Sequence, residues 1–514
     1  MKDGGAGAAR PPGSGPGLRV TWVQPEDLVG HELRQAAEDG RDAAGIARRW
    51  RAAGGGPAPA RAGASPGPAD PALRALAGRL LDELALLPCP SAADEPTDRD
   101  AIAALCPQLP FLEDELTQDP PDPQDPPELT ELPELTDRLE AAWLGRAAGC
   151  LLGKPVEKLP LTGIREIARS TGNWPLDSWF TGKGLDPAVA ARYPWNRRSR
   201  ATSLAETLDG MPEDDDLDHP LLGLLLLERH GPGFRTADLA RLWLDELPAG
   251  RTFTAERVAY RNLLDGVEPP ATARHRNPFR EWIGARIRAD VHGWTRPGDP
   301  AGAAAQVWRD ATLSHTANGV YDAMFVAAAL AAAGGGDDVH GALRAGLAVI
   351  PPRSRLAGAV RHGIAAAHDE PTGTAAGFAA VVDRLHDAYG HHHWVHAVPN
   401  AALLAAALTH ADGDFTGSIC RAVSGGWDTD SNGATAGSLA GLLAGSPATL
   451  PARWTAPLRN RLTTTVGGLD GVGFDTLARR TAALAVRHRA PRHSRGPAHP
   501  HSPRPAHRPK APAP

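Results

Sequence analysis

The stretch at 424–445, SGGWDTDSNGATAGSLAGLLAG, places side-chain oxygens at five successive positions, Asp428 to Asn432, between paired glycines and an Ala/Gly-rich run. Its first half matches the start of a calcium loop, with Asp428, Asp430, Asn432 and Gly433 at loop positions 1, 3, 5 and 6. Position 12 of such a loop is a bidentate Glu, and here it is Leu439. The run ATAGSLAGLLAG (434–445) reads instead as a helix. The stretch is therefore an acidic loop feeding a small-residue helix.

The same helical pattern extends over the surrounding chain. From Thr136 to about Arg487, Ala/Leu segments of about ten to fifteen residues alternate with Gly/Pro/Asp turns, with few period-2 runs. That implies an all-α domain of many packed helices. No period of 20–50 residues marks a solenoid. Residues 1–136 alternate low-complexity stretches with helical patterns at 26–55 and 71–88, and end in an acidic, proline-rich linker at 118–134. Residues 488–514 have almost no apolar side chains and are expected to be disordered. The expected organisation is an N-terminal extension (1–136), a main domain (137–487) and a basic His/Pro/Arg tail (488–514).

The 514 residues carry a formal charge of −6, and no basic field suggests nucleic-acid binding. Four dispersed cysteines without CxxC spacing argue against a zinc site or a disulfide framework. Met1–Gly17 has no apolar core of a signal peptide. The longest apolar runs, 323–333 and 401–408, are too short to span a bilayer. The expectation is a soluble, cytoplasmic monomer.

A second acidic cluster precedes another helix: MPEDDDLDHPLLGLLLLERHG (211–231). One or two carboxylates suit a helix N-terminus. Glu213, Asp214, Asp215 and Asp216 in succession repel one another unless a cation or solvent relieves them. Glu213, Asp214, Asp215, Asp428, Asp430 and Ser431 together make an oxygen-only ligand set. It suits Mg²⁺ or Mn²⁺ and is rich enough for two divalent ions, which could polarise hydroxyls and activate water.

Several blocks in order then resemble the ADP-ribosylglycohydrolases, the group of the dinitrogenase-reductase-activating glycohydrolase and the ADP-ribosyl-acceptor hydrolases. GRAAGCLLGKPVEKLP (145–160) is similar to the family's glycine-rich opening, and PEDDD (212–216) stands at its Thr-Asp-Asp-Thr motif. RNPFREWIGARIRAD (276–290) resembles the segment approaching the diphosphate. RDATLSHTANGVYDAMFVAAALAAA (309–333) resembles the Thr/Ser-His block, and GGWDTDSNGATAGSLAG (425–441) the Gly-Asp-Thr-Asp-Thr/Ser motif. The resemblance covers roughly 137–485. It implies an all-α orthogonal bundle with a binuclear metal centre, with Glu213, Asp214, Asp215, Asp428, Asp430 and Ser431 as ligands. Glu157, Asp215 and Asp428 would carry the catalysis, and His315 would line the ADP-ribose site. Asn277, Arg280 and Gly284 would approach the phosphates, with Arg280 offering paired donors.

The implied reaction is hydrolysis of an N- or O-glycosidic bond between ADP-ribose and an acceptor, normally a modified protein side chain. A small ADP-ribose-like or nucleoside-derived metabolite is the alternative substrate, and a non-catalytic ADP-ribose-binding module the alternative class. Four departures mark a divergent branch: Glu213 and Asp216 in place of threonines, Cys150 where many members have Asp, and Trp427 beside the metal loop. Taken alone, Glu157 reads as a surface glutamate, His315 as a cap or core histidine, Arg280 as a partner for a surface acid, and Trp282 and Trp427 as packing residues.

Overall fold

Asp-Pro and Ser/Asp turns punctuate the chain, and in the computed structural model many of them are helix N-caps. The structure describes residues 23–59, 63, 65, 67–109 and 133–489. Asp70, Asp98, Asp186, Asp299, Asp338 and Asp414 each accept backbone N–H groups of the helix that follows. In three of these, proline occupies the first helical position, where its missing N–H costs nothing. Among the described residues there are isolated β-bridges and no strand, so the all-α expectation holds.

The extension contributes α1 (Pro25–Glu38), α2 (Ala44–Ala52), α3 (Pro71–Ala85) and α4 (Arg99–Leu105). The single helical pattern expected at 26–55 is two helices, because the chain turns at Gly40 with φ of +72°. The main domain begins with α5 (Pro133–Gly153), α6 (Leu161–Ser170), α7 (Pro187–Arg192) and α8 (Asp215–His230). There follow α9 (Thr236–Glu246), α10 (Thr254–Leu264), α11 (Asp290–Trp294), α12 (Pro300–Ala311) and α13 (Ala317–Gly335). The last group is α14 (Val339–Ala348), α15 (Arg355–His368), α16 (Phe378–Tyr389), α17 (Ala397–His410), α18 (Phe415–Ser424), α19 (Thr429–Ala444), α20 (Ala452–Thr455) and α21 (Phe474–Arg489). Met1–Gly17, the linker as far as residue 132 and the tail from residue 490 lie outside the described residues.

Helices α13 and α17 are apolar on nearly every face and run through the core. α13 is longer than the apolar run 323–333 suggested, because buried Asn318, Tyr321 and Asp322 extend it toward its N-terminus. It is long and apolar enough to cross a membrane, yet 89% of its apolar window is buried inside the bundle.

The closest packing joins α5 to α19. Gly145, Gly149 and Gly153 recur every four residues on α5, and Gly433, Gly437 and Gly441 do so on α19. A Cβ on Gly149 would stand 1.8 Å from the Gly433 carbonyl oxygen, and one on Gly437 would stand 2.0 Å from that of Gly145. The helices therefore touch backbone to backbone, which only glycine permits.

The extension is docked by a second apolar core and a buried ionic network. Leu28, Val29, Leu80 and Leu81 pack on Phe279 and Trp282 of the main domain. Arg280 binds Glu32 at 2.8 Å and Asp39 at 3.1 Å, while Arg355 binds Glu95 at 2.7 Å and Glu281 at 2.8 Å. Glu38 meets His392 at 3.5 Å and His396 at 3.3 Å. His396 Nδ1 accepts the Val398 N–H, so its Nε2 carries the proton and lies 3.3 Å from the Glu38 carboxylate.

Candidate active site

The α5–α19 contact brings three chain segments together. α5 ends at Gly153, where a Cβ would lie 2.3 Å from the Thr429 carbonyl oxygen. The turn after it carries Lys154 and Glu157 beside the N-terminus of α19, and the N-terminus of α8 closes the third side. A cleft of about 410 Å³ opens there, lined by Glu157, Glu213, Asp214, Asp215, Asp428, Asp430, Ser431 and Gly284 among others.

Local chemistry fixes each wall. Asp214 caps α8, its Oδ1 accepting the Asp216 N–H at 3.0 Å. Pro220 lies inside α8 and offers no N–H to the Asp216 carbonyl four residues earlier. Arg146 Nε, fully buried on α5, donates to that carbonyl at 2.7 Å, and its Nη2 binds the Asp216 carboxylate at 3.2 Å. The Ser431 hydroxyl joins the two acidic segments, lying 3.2 Å from Asp216 Oδ2 and 3.3 Å from Asp428 Oδ2. Before α19, Trp427 adopts φ of +53°, a costly conformation for a bulky residue. It is held by stacking on His386 at 3.9 Å, and Asn400 Oδ1 accepts the next N–H, of Asp428, at 3.1 Å.

Glu157, Asp428 and Asp430 each bring a carboxylate oxygen within 4.8 Å of the others, as do Asp214 and Asp216 with the Cys150 sulfur. Burial, reinforced by the neighbouring acids, pushes the Cys150 thiol well up, so it stays neutral. Burial also pushes Asp215 well above the carboxylate range, with Asp214 and Asp216 adding to it. Asp430 shifts the same way through burial and Glu157. Burial raises Asp428 to about 6, and raises Asp216 to about 8 against the pull of Arg146. Asp214 differs: burial opposes its charge, but Lys154 outweighs it and the group stays ionised.

Most cleft acids have a basic partner. Glu213 binds Arg251 at 3.0 Å, Asp216 binds Arg146, Glu256 binds Arg288 at 2.9 Å, Glu157 binds Lys158 at 2.5 Å, and Asp214 binds Lys154. Among the described residues, Asp215, Asp428 and Asp430 have no basic side chain within ion-pair distance. An all-oxygen donor set with three uncompensated carboxylates fits a hard divalent cation.

Three residues expected in the substrate site lie elsewhere. Arg280 is turned to Glu32 and Asp39, because the docked extension supplies it with acids. Asn277 is fully buried, donating to the carbonyls of Ala273 at 3.0 Å and Ser314 at 2.9 Å, and so holds a loop. His315 sits one layer behind the cleft, its Nε2 3.9 Å from Glu256, and burial keeps it neutral. Gly284 does line the cleft, where a Cβ would strike Glu256 Oε1 at 2.1 Å. Sequence reasoning missed Lys154, Lys158, Asn196, Arg198, Arg251, Phe253 and Trp394 in the lining. The two lysines flank Glu157 in the quoted block, and their charge opposite a row of acids was the available signal. Trp282 packs as expected, stacked on His393 at 4.1 Å, and also forms cleft wall.

The raised carboxyls set a pH dependence. Between about pH 4, where free aspartates ionise, and about pH 8, the folded metal-free chain holds protons that the unfolded chain has released. Stability therefore falls as pH rises through that window, and a bound cation displaces those protons and removes the fall. Thermal unfolding from pH 5 to 8, with chelator or with saturating Mn²⁺, should give a steeper decline for the metal-free sample. Buried Glu281 and Asp322, raised to about 8 and about 7, titrate alike in both samples, so the difference isolates the cleft. Equal slopes would remove the cation from this site.

No curated protein shows a significant match. A solved structure described as an ADP-ribosylglycohydrolase-related protein complex is 22% identical over 69% of this chain and 98% of that one, with a TM-score of 0.42. The model of the ADP-ribosylglycohydrolase family matches residues 131–491, which take in the α5–α19 joint and every acid of the cleft. The chain belongs to the ADP-ribosylglycohydrolase family.

Proposed function

We propose that the protein is a divalent-metal-dependent hydrolase of the glycosidic bond between ADP-ribose and an acceptor, a modified protein side chain, with free ADP-ribose as product. The observation that carries this is the convergence of Glu157, Asp428 and Asp430 within 4.8 Å on the wall of a cleft of about 410 Å³. A cation such as Mg²⁺ or Mn²⁺, held by Asp215, Asp428 and Asp430, would supply Lewis acidity toward the sugar hydroxyls and water. Glu157 Oε2 accepts from Asn196 Nδ2 at 2.5 Å and Oε1 pairs with Lys158, which fixes the carboxylate to orient water or take its proton. Asp215 and Asp428 place negative charge where an oxocarbenium-like transition state gains it. With Arg280 and Asn277 engaged elsewhere, the diphosphate would meet Arg198, Arg251 and Lys158 of the cleft, and Phe253, Trp282 and Trp394 offer faces for the base.

Incubation with Mn²⁺ or Mg²⁺ and ADP-ribosyl-arginine, ADP-ribosyl-serine or O-acetyl-ADP-ribose, scored for ADP-ribose release, tests the activity. Release from one of the protein-type linkages supports the reading. Release from O-acetyl-ADP-ribose alone moves the substrate to a small metabolite, and none from any removes the hydrolase. Glu157→Gln should keep metal and substrate binding while slowing hydrolysis by ~10²–10⁴-fold, the scale for a lost general acid or base. Loss of metal from that variant, measured by calorimetry, would make Glu157 a ligand instead.

A further inference from the structure

The acids of the cleft divide unequally between the two helix N-termini. On the α8 side, Glu213, Asp214 and Asp216 each have a base of their own and Asp215 has none, while on the α19 side neither Asp428 nor Asp430 has one within ion-pair distance among the described residues. Asp214 is the telling member. Its Oδ1 accepts the Asp216 N–H at 3.0 Å, and its Oδ2 accepts from Lys154 Nζ. The same ammonium donates to the Glu213 carbonyl at 3.2 Å. Lys154 is 7% exposed, so it is an interior cation and not a strand of surface charge reaching over. Its backbone cannot retreat, because Gly153 before it is pressed against Thr429.

An ammonium and a divalent ion on one carboxylate repel each other, and each satisfies the same need for positive charge. We propose that Lys154 is a resident cation, standing at Asp214 in place of a second divalent ion, so that the cleft takes a single divalent ion on the Asp215, Asp428 and Asp430 side. The proposal rests on the metal reading above and replaces the pair of ions expected from the sequence with one. Lys154 is thereby a positioning residue: it keeps Asp214 charged and its N-cap in place without touching the reacting bond.

The test is metal stoichiometry on the full chain, with Mn²⁺ as the probe. Calorimetric titration of the wild type should give one ion per chain, and its electron paramagnetic resonance spectrum should show an isolated Mn²⁺. Lys154→Met frees Asp214 and should raise the number to two, with the spectrum of an exchange-coupled pair, because paired ions sit only ~4 Å apart. Lys154→Arg, which keeps the charge, should stay at one and guards against a misfolded Met variant. Two ions in the wild type, or one in a folded Lys154→Met, overturns the resident-cation role while leaving the metal site standing. No ion in any of the three proteins overturns both the role and the metal reading beneath it.

Discussion

Asp430→Asn is expected to lose Mn²⁺ binding and turnover together while the protein stays folded. Asn keeps the shape of the side chain and can still accept the Ser431 N–H, which Asp430 Oδ1 takes at 3.1 Å. What it removes is charge that a hard cation requires. Mn²⁺ affinity should drop by more than ~100-fold, beyond what the loss of an outer-sphere partner costs. The rate should fall by ~10⁴–10⁶-fold, the scale for removing one member of a catalytic unit. Stability supplies an independent sign. Burial, and after it the like charges around it, push the Asp430 carboxyl well up, so the metal-free variant should melt no lower than the metal-free wild type. Calorimetry and unfolding on the same preparation check both, and full metal-dependent activity in this variant would leave residues 428–432 as the N-terminus of α19 with no metal role.

Gly149→Ala is the second large effect, this time on the fold. The new methyl would meet the Gly433 carbonyl oxygen at 1.8 Å, and neither partner is a side chain that can swing away. Overpacking in a closed core costs roughly 1–3 kcal/mol, and a backbone clash belongs at or above the top of that range. Because α5 and α19 hold Glu157 and Asp430 on either side of the same joint, metal affinity should weaken along with the melting temperature. Gly358→Ala makes the control, since that exposed glycine of α15 has nothing within 4 Å of its Cβ. There the better helix propensity of Ala should stabilise by about 0.5–1 kcal/mol. Equal melting temperatures for the two variants would show that α5 and α19 can separate without loss.

What the sequence disclosed and what it withheld follow from the range of the interactions. Helices announce themselves through local periodicity and caps, so the all-α class and the α8 start were legible. α19 begins at Thr429, five residues before the helix read at 434–445, because the polar run 429–432 forms its first turn and lacks the apolar periodicity that marks a helix. The acidic motifs are contiguous in the chain, and Asp214, Asp215, Asp428 and Asp430 were found as two clusters. Arg280 was misplaced because its partners, Glu32 and Asp39, lie more than 200 residues away in the extension. Asn277 and His315 were given ligand roles by motif position, but their hydrogen bonds and burial depend on the fold around Ser314 and Glu256. The two glycine rows on α5 and α19 sat in plain view as small-residue repeats. Their pairing could not be read, because nothing in one row names the other.

The docked extension also bears on the order in which the chain folds. α1 and α3 are made well before Phe279, Arg280 and Trp282, with Glu32 and Arg280 separated by 248 residues and Glu95 and Arg355 by 260. Closing so long a loop is slow, because its entropy is lost before the contacts are gained. Through that interval Leu28, Val29 and Leu80 have no main-domain surface to cover them. The extension is thus synthesised well before the surface that seats it, and a nascent chain halted short of residue 280 presents an apolar face that a chaperone would hold.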